Sequence, residues 1–179
     1  MNRELQLAFV SDEALNRHLE HLTDLKLKYS VLEKSYPILL NADIQRVKYT
    51  RLDRAAKSEA IDLIVKIKSH ECYFDSFCLN PKPYKPIKRY FSSEDAFVYE
   101  MFSAAKNSKE PFIYVYKDRY GTPFVTDRYY GNPIFAVDLS EHAYFLDYGF
   151  SREEYLRRAL GYLDLGKLSI EALDKASEK

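Results

Sequence analysis

Tryptophan is absent from this chain of 179 residues, and cysteine, histidine and glycine occur only 2, 4 and 5 times. Two cysteines, Cys72 and Cys78, cannot build a disulfide framework, and a chain this long encloses a hydrophobic core without staples. With so few glycines and only 7 prolines, extended disorder is not expected. No apolar run approaches the roughly 18 residues needed to span a bilayer. The segment Met1-Asn2-Arg3-Glu4-Leu5-Gln6 lacks the apolar core of a secretory signal, so a cytoplasmic chain with reduced thiols is expected. Charge of one sign is missing as well. Twenty-seven basic residues balance 27 acidic ones, leaving no overall field to attract nucleic acid or anionic lipid. Neither a Gly-x-Gly-x-x-Gly nor a Gly-Lys-Ser/Thr loop occurs, which disfavours the common nucleotide-binding folds.

What the chain has in excess is tyrosine, 16 residues, with 11 phenylalanines. An aromatic ring with a polar tip suits cores that reach the surface and binding faces alike. Ser11 followed by Asp12 and Glu13 reads as a helix start, and Leu15, Leu19, Leu22 and Tyr29 continue at helical spacing to about residue 34. Pro37 opens a second helical stretch, in which Ile44, Val47, Leu52, Ala56, Ala60, Leu63 and Ile67 keep a three-to-four rhythm as one helix or two. Aromatics from Cys72 to Leu79 suggest a strand, and Pro81-Lys82-Pro83-Tyr84-Lys85-Pro86 an extended connector. Ser92 or Ser93 caps a helix reaching Asn107. Phe112 to Tyr116, apolar throughout, reads as a central strand. Pro123 to Thr126, Ile134 to Val137 and Ala143 to Tyr148 supply further strands. Ser151-Arg152-Glu153-Glu154 reads as a capping box before a last helix, with Phe150 stapled on Tyr155.

The expected fold class is therefore α+β: an N-terminal helical hairpin, a helix, an antiparallel meander of about four strands and a C-terminal helix. The expected organisation is a mainly helical region over 1–79, a Pro/Lys/Tyr-rich connector over 80–91 and an α+β region over 92–179. One integrated domain over 1–179 is the alternative.

Two turns repeat an order of residue types, Asp118-Arg119-Tyr120-Gly121 and Asp127-Arg128-Tyr129-Tyr130-Gly131. Asp and Gly are ordinary turn residues, so only Arg119, Tyr120, Arg128, Tyr129 and Tyr130 stand out, as a partner-binding edge. Basic residues gather at Arg46, Lys48, Arg51, Arg54 and Lys57 and again at Lys82, Lys85, Lys88 and Arg89, the latter among aromatics that could stack on bases. A solvated helix face and a soluble linker are the favoured reading of these clusters, given the zero net charge.

Metal chemistry has weak local signals. His70, Cys72 and Cys78 with Asp75 lack the Cys-x-x-Cys spacing of structural zinc sites. His18 and His21, with Glu20 or Asp24 nearby, lack a His-Glu-x-x-His pattern and read as surface histidines. His142 beside Glu141 has no nucleophile elbow before it, so a hydrolase gains no support.

The sequence by itself favours a non-enzymatic protein-binding module, a small inhibitor, adaptor or regulator of another protein, with no catalytic residues, metal or cofactor assigned. A nucleic-acid-binding accessory protein using residues 46–57 and 82–90 is the alternative. An enzyme of unrecognised class, with Asp118, Arg119, Asp127, Arg128 and His142 converging in space, comes third.

Overall fold

A computed structural model describes residues 7–81, 87 and 90–168, and it has an α+β architecture. The first helix, α1 (Asp12–Ser35), begins where the Ser11 side chain accepts a hydrogen bond from the Ala14 amide at 3.2 Å. Its buried residues include Leu15, His18, Leu22, Leu25 and Leu32, three or four positions apart along one face. The second helical stretch is broken into three pieces. A single 3-10 turn (Pro37–Leu39) is followed by a short α2 (Ile44–Tyr49) and a long α3 (Arg54–Asp75). Asn41 at φ 54 ends the first piece, and Asp43 and Asp53 cap the next two through the amides of Arg46 and Ala56.

Helix α4 (Glu94–Asn107) is capped by Ser93, which accepts from the Ala96 amide at 3.0 Å. Three antiparallel strands follow: β1 (Phe112–Lys117), β2 (Pro123–Thr126) and β3 (Phe135–Asp138), in the spatial order β2-β1-β3. The central position of β1 agrees with its unbroken apolar run, and its pairing places Phe112 opposite Asp138 and Tyr114 opposite Thr126.

Two expected strands are helical instead. Cys72 to Asp75 forms the last turn of α3, whose Leu63, Ile64, Ile67, Tyr73 and Phe74 are buried; beyond it Phe77 forms an isolated antiparallel bridge to Leu163. Ala143 to Tyr148 lies in α5 (Glu141–Tyr148), which turns one narrow face inward through Ala143 and Tyr144. Helix α6 (Arg152–Leu160) then buries Tyr155, Leu156, Ala159 and Leu160. Its Ser151 makes no side-chain cap bond, and Phe150, 90% exposed, packs on Phe145 rather than stapling to Tyr155. A 3-10 turn (Leu165–Leu168) closes the described chain.

Packing of α1 on α3 and α5, and of α3 on β3, brings the first third of α1, with His18, and the last third of α3, with His70, to the C-terminal end of β3. Residues 82–86, 88 and 89 of the expected connector lie outside the described residues. Among the described residues no helix is long and apolar enough to cross a membrane.

Candidate metal centre

Where those elements meet, four side chains converge: His18 from α1, His70 from α3, Asp138 from the end of β3 and His142 from the first turn of α5. Their donor atoms all lie within 4.8 Å of one another. The Asp138 Oδ2 atom stands 3.1 Å from His18 Nε2, 3.4 Å from His70 Nε2 and 3.0 Å from His142 Nε2. His70 Nε2 and His142 Nε2 are 3.2 Å apart. Donors about 2.1 Å from one ion stand about 3.0 Å apart at right angles and about 3.4 Å apart at tetrahedral angles, so these separations fit a single first-row transition ion.

Hydrogen bonding around the cluster fixes where the lone pairs point. His70 Nδ1 is 2.7 Å from the Lys66 carbonyl, which can only accept, so Nδ1 carries the proton and Nε2 is left with its lone pair. Burial lowers the His70 pKa to about 4 despite the opposing pull of Asp138, so the ring is neutral at pH 7. A nitrogen lone pair therefore faces a carboxylate oxygen at 3.4 Å, with no proton of its own to place between them. His18 and His142 each can donate an Nε2 proton to Asp138 Oδ2, and His142 is also within reach of His70. A cation at the centre would bond the His70 lone pair and the Asp138 oxygen directly and would take the place of the Nε2 protons of His18 and His142. The residues thus fit a metal ion, and the Nδ1 contact of His70 is the kind of outer bond that orients a ligating imidazole.

Asp138 is completely buried. Burial alone would raise its pKa, but hydrogen bonds from His142 and His18, with their charge, hold it well below the usual carboxylate range. Its Oδ1 accepts from the Ser140 amide at 2.8 Å, which leaves Oδ2 for the cluster. Aromatic rings wall the site. Tyr73 and Phe74 lie against His18 at centroid distances of 4.8 and 4.9 Å, and Phe112 lies against His70 at 5.1 Å. His142 is the exception to this burial, with 34% of its side chain exposed against 2% or less for the other three. The His21 ring packs on it at 4.3 Å. Burial, with repulsion from His142 and His18, lowers the His21 pKa.

The residues singled out in the sequence fall elsewhere. Arg119 lies over the ring of exposed Tyr120 at 4.6 Å, in the β1–β2 turn, where Asp118 accepts from the amides of Tyr120 and Thr122. Arg128, Tyr129 and Tyr130 occupy the β2–β3 connection; Tyr129 packs on Tyr114 and the Tyr130 amide donates to the Tyr116 hydroxyl. Arg46, Lys48, Arg51 and Arg54 are exposed, and Lys57 donates to the Lys48 carbonyl. Lys82, Lys85, Lys88 and Arg89 lie outside the described residues. Asp118 and Asp127 are not among the converging side chains, whereas His142 is.

Two readings of histidine and cysteine are corrected. His18 is not a surface residue, being 2% exposed. His70 joins a cluster, but with two histidines and an aspartate rather than with Cys72 and Cys78. Burial pushes the Cys72 thiol up to about 11, and its sulfur points at the Pro133 carbonyl.

Residues 82–169, just under half of the chain, match a family model described as iron/manganese superoxide dismutases, C-terminal domain. That span contains Asp138 and His142, while His18 and His70 precede it. No curated protein matches the chain. The match to an enzyme family, together with the buried histidine and aspartate cluster, overturns the expectation of a non-enzymatic inhibitor, adaptor or regulator docking on another protein, and its nucleic-acid-binding alternative with it.

Proposed function

We propose that this chain holds one iron or manganese ion on His18, His70, Asp138 and His142 and disproportionates superoxide to oxygen and hydrogen peroxide. The observation that carries the reading is the meeting of a neutral imidazole lone pair and a buried carboxylate inside a shell of four donors. The family match supplies the reaction class. Imidazole and carboxylate donors without thiolate suit iron and manganese. When bound, such an ion would supply one-electron exchange, taking an electron from one superoxide to leave oxygen and passing it to the next, which leaves as hydrogen peroxide after taking up two protons from solvent.

The side chains bind, orient and shield. Asp138 contributes a negative charge in a buried position, steadied by the Ser140 amide. His70 presents Nε2 because Lys66 holds its other nitrogen. His18 is pinned between Tyr73 and Phe74, so bulk water is kept off that side. A small anion approaches past His142 and His21, the partly exposed edge of the cluster. We infer the cytoplasm as the compartment, on the support of two free thiols, Cys72 and Cys78.

The test is reconstitution with Mn2+ or Fe2+, removal of free metal by gel filtration, and elemental analysis beside a superoxide-consumption assay. One ion per chain with accelerated superoxide loss is expected, and both should disappear in Asp138→Asn. A chain that retains no metal, or retains it equally in Asp138→Asn, would sink the reading.

A further inference from the structure

We infer that Tyr155, on a helix that contributes no donor to the cluster, is a positioning residue for the metal centre, acting through the backbone of Asp138 and through Tyr73. This inference rests on the proposed metal site and extends it to a residue that touches none of the four donor atoms.

The Tyr155 hydroxyl is 3.0 Å from the Asp138 carbonyl oxygen and 3.2 Å from the Tyr73 hydroxyl, and both tyrosines are fully buried. A carbonyl only accepts, so the single Tyr155 proton belongs to the Asp138 bond. The Tyr73 oxygen is the second acceptor within reach of that proton. The Tyr155 hydroxyl thus ties the Asp138 carbonyl to Tyr73. It clamps the peptide of the residue whose side chain faces all three histidines.

The same two rings reach every element that carries a donor. Tyr73 sits three residues beyond His70 on α3 and braces the His18 ring of α1 at 4.8 Å. Tyr155 stacks on Tyr144 at 5.2 Å and 24°, two residues beyond His142 on α5. Its hydroxyl holds β3 at Asp138. Donors drawn from four separate elements need a common reference to stay within a few tenths of an ångström of one another, and this buried pair supplies it. Outer contacts of this kind change metal affinity by about 10- to 100-fold when removed.

The experiment uses the full chain titrated with Co2+, whose visible absorption reports both affinity and ligand geometry. Tyr155→Phe keeps the ring and its stacking but deletes the proton donated to Asp138; about tenfold weaker Co2+ binding and a shifted spectrum are expected. Tyr73→Phe leaves the Asp138 bond in place, so its loss should be smaller, though still at least about twofold, and the double variant should match Tyr155→Phe alone. Val47→Ala, a buried truncation on α2 away from the cluster, should lower the melting temperature while leaving Co2+ affinity and spectrum unchanged. Wild-type affinity and spectrum in Tyr155→Phe would overturn the inference while leaving the metal site standing. If Tyr155→Phe does not fold, Tyr73→Phe carries the test, and unchanged Co2+ binding there would overturn it equally. A wild-type chain that binds no Co2+ would remove the proposed function and this inference together.

Discussion

At the scale of single residues, the protonation of His70 links the site to stability. Its pKa is lowered from the ordinary 6.5 to about 4, first by burial, so the unfolded chain binds a proton more readily than the native one between those values. The stability that His70 contributes is therefore complete above about pH 6.5 and is lost as pH falls toward 4. Metal-free protein should lose about 2 kcal/mol between pH 7 and pH 5 through this group, measured by urea unfolding, and His70→Gln should flatten the dependence. A metal-free protein equally stable at both values would contradict the neutral, Nδ1-protonated ring on which the site geometry rests. Asp138 acts in the same direction at lower pH. Its depressed pKa makes its contribution present above about pH 4 and lost on further acidification.

Residue types also decide what the sequence reveals. Leu15, His18, Leu22 and Leu25 occupy one stripe of α1, so a histidine stands where the pattern calls for an apolar side chain. That displacement was the available signal for burial, and histidine's tolerance of both surface and core hides it. Asp138 and His142, four apart, form the local half of the donor set. Alone they resemble any acid and histidine near a helix start.

At the scale of elements, the cap residues and long apolar rhythms made α1, α4 and β1 readable, because each carries its own boundary signals. Helix α5 was not readable in that way. Glu141-His142-Ala143-Tyr144-Phe145-Leu146-Asp147-Tyr148 is eight residues long and aromatic enough to suit a strand, and what makes it helical is its packing on α1 and α6. The end of α3 resembles a strand for a related reason, since Tyr73, Phe74 and Phe77 thicken the aromatic content where the helix turns inward. Ser76 just beyond it joins α3 to the sheet: its hydroxyl donates to the Cys72 carbonyl and accepts from the Ala136 amide at 2.9 Å. Ser76→Ala leaves that buried amide without its partner and should cost about 1–3 kcal/mol in chemical denaturation. A loss below about 0.5 kcal/mol would show that the α3–β3 junction relaxes to satisfy Ala136 in another way.

At the scale of the whole molecule, the donor set spans residues 18 to 142 and exists only after α1, α3, β3 and α5 have assembled. No sequence window contains it, whereas the Asp-Arg-Tyr turns are contiguous and conspicuous. Tyrosine abundance suits cores and binding faces alike, and here it is spent in part on the interior. Tyr73, Tyr114, Tyr144 and Tyr155 are all buried, and the Tyr73–Tyr155 hydroxyl pair borders the cluster.

Superoxide turnover by a metal ion held on these four residues is what we propose for this chain. The most direct measurement is the decay rate of superoxide in the presence of protein preparations of graded, independently determined metal content. The account predicts a rate that rises in proportion to bound iron or manganese and falls to the spontaneous value in Asp138→Asn. Stoichiometric metal with superoxide decaying no faster than in buffer would contradict it.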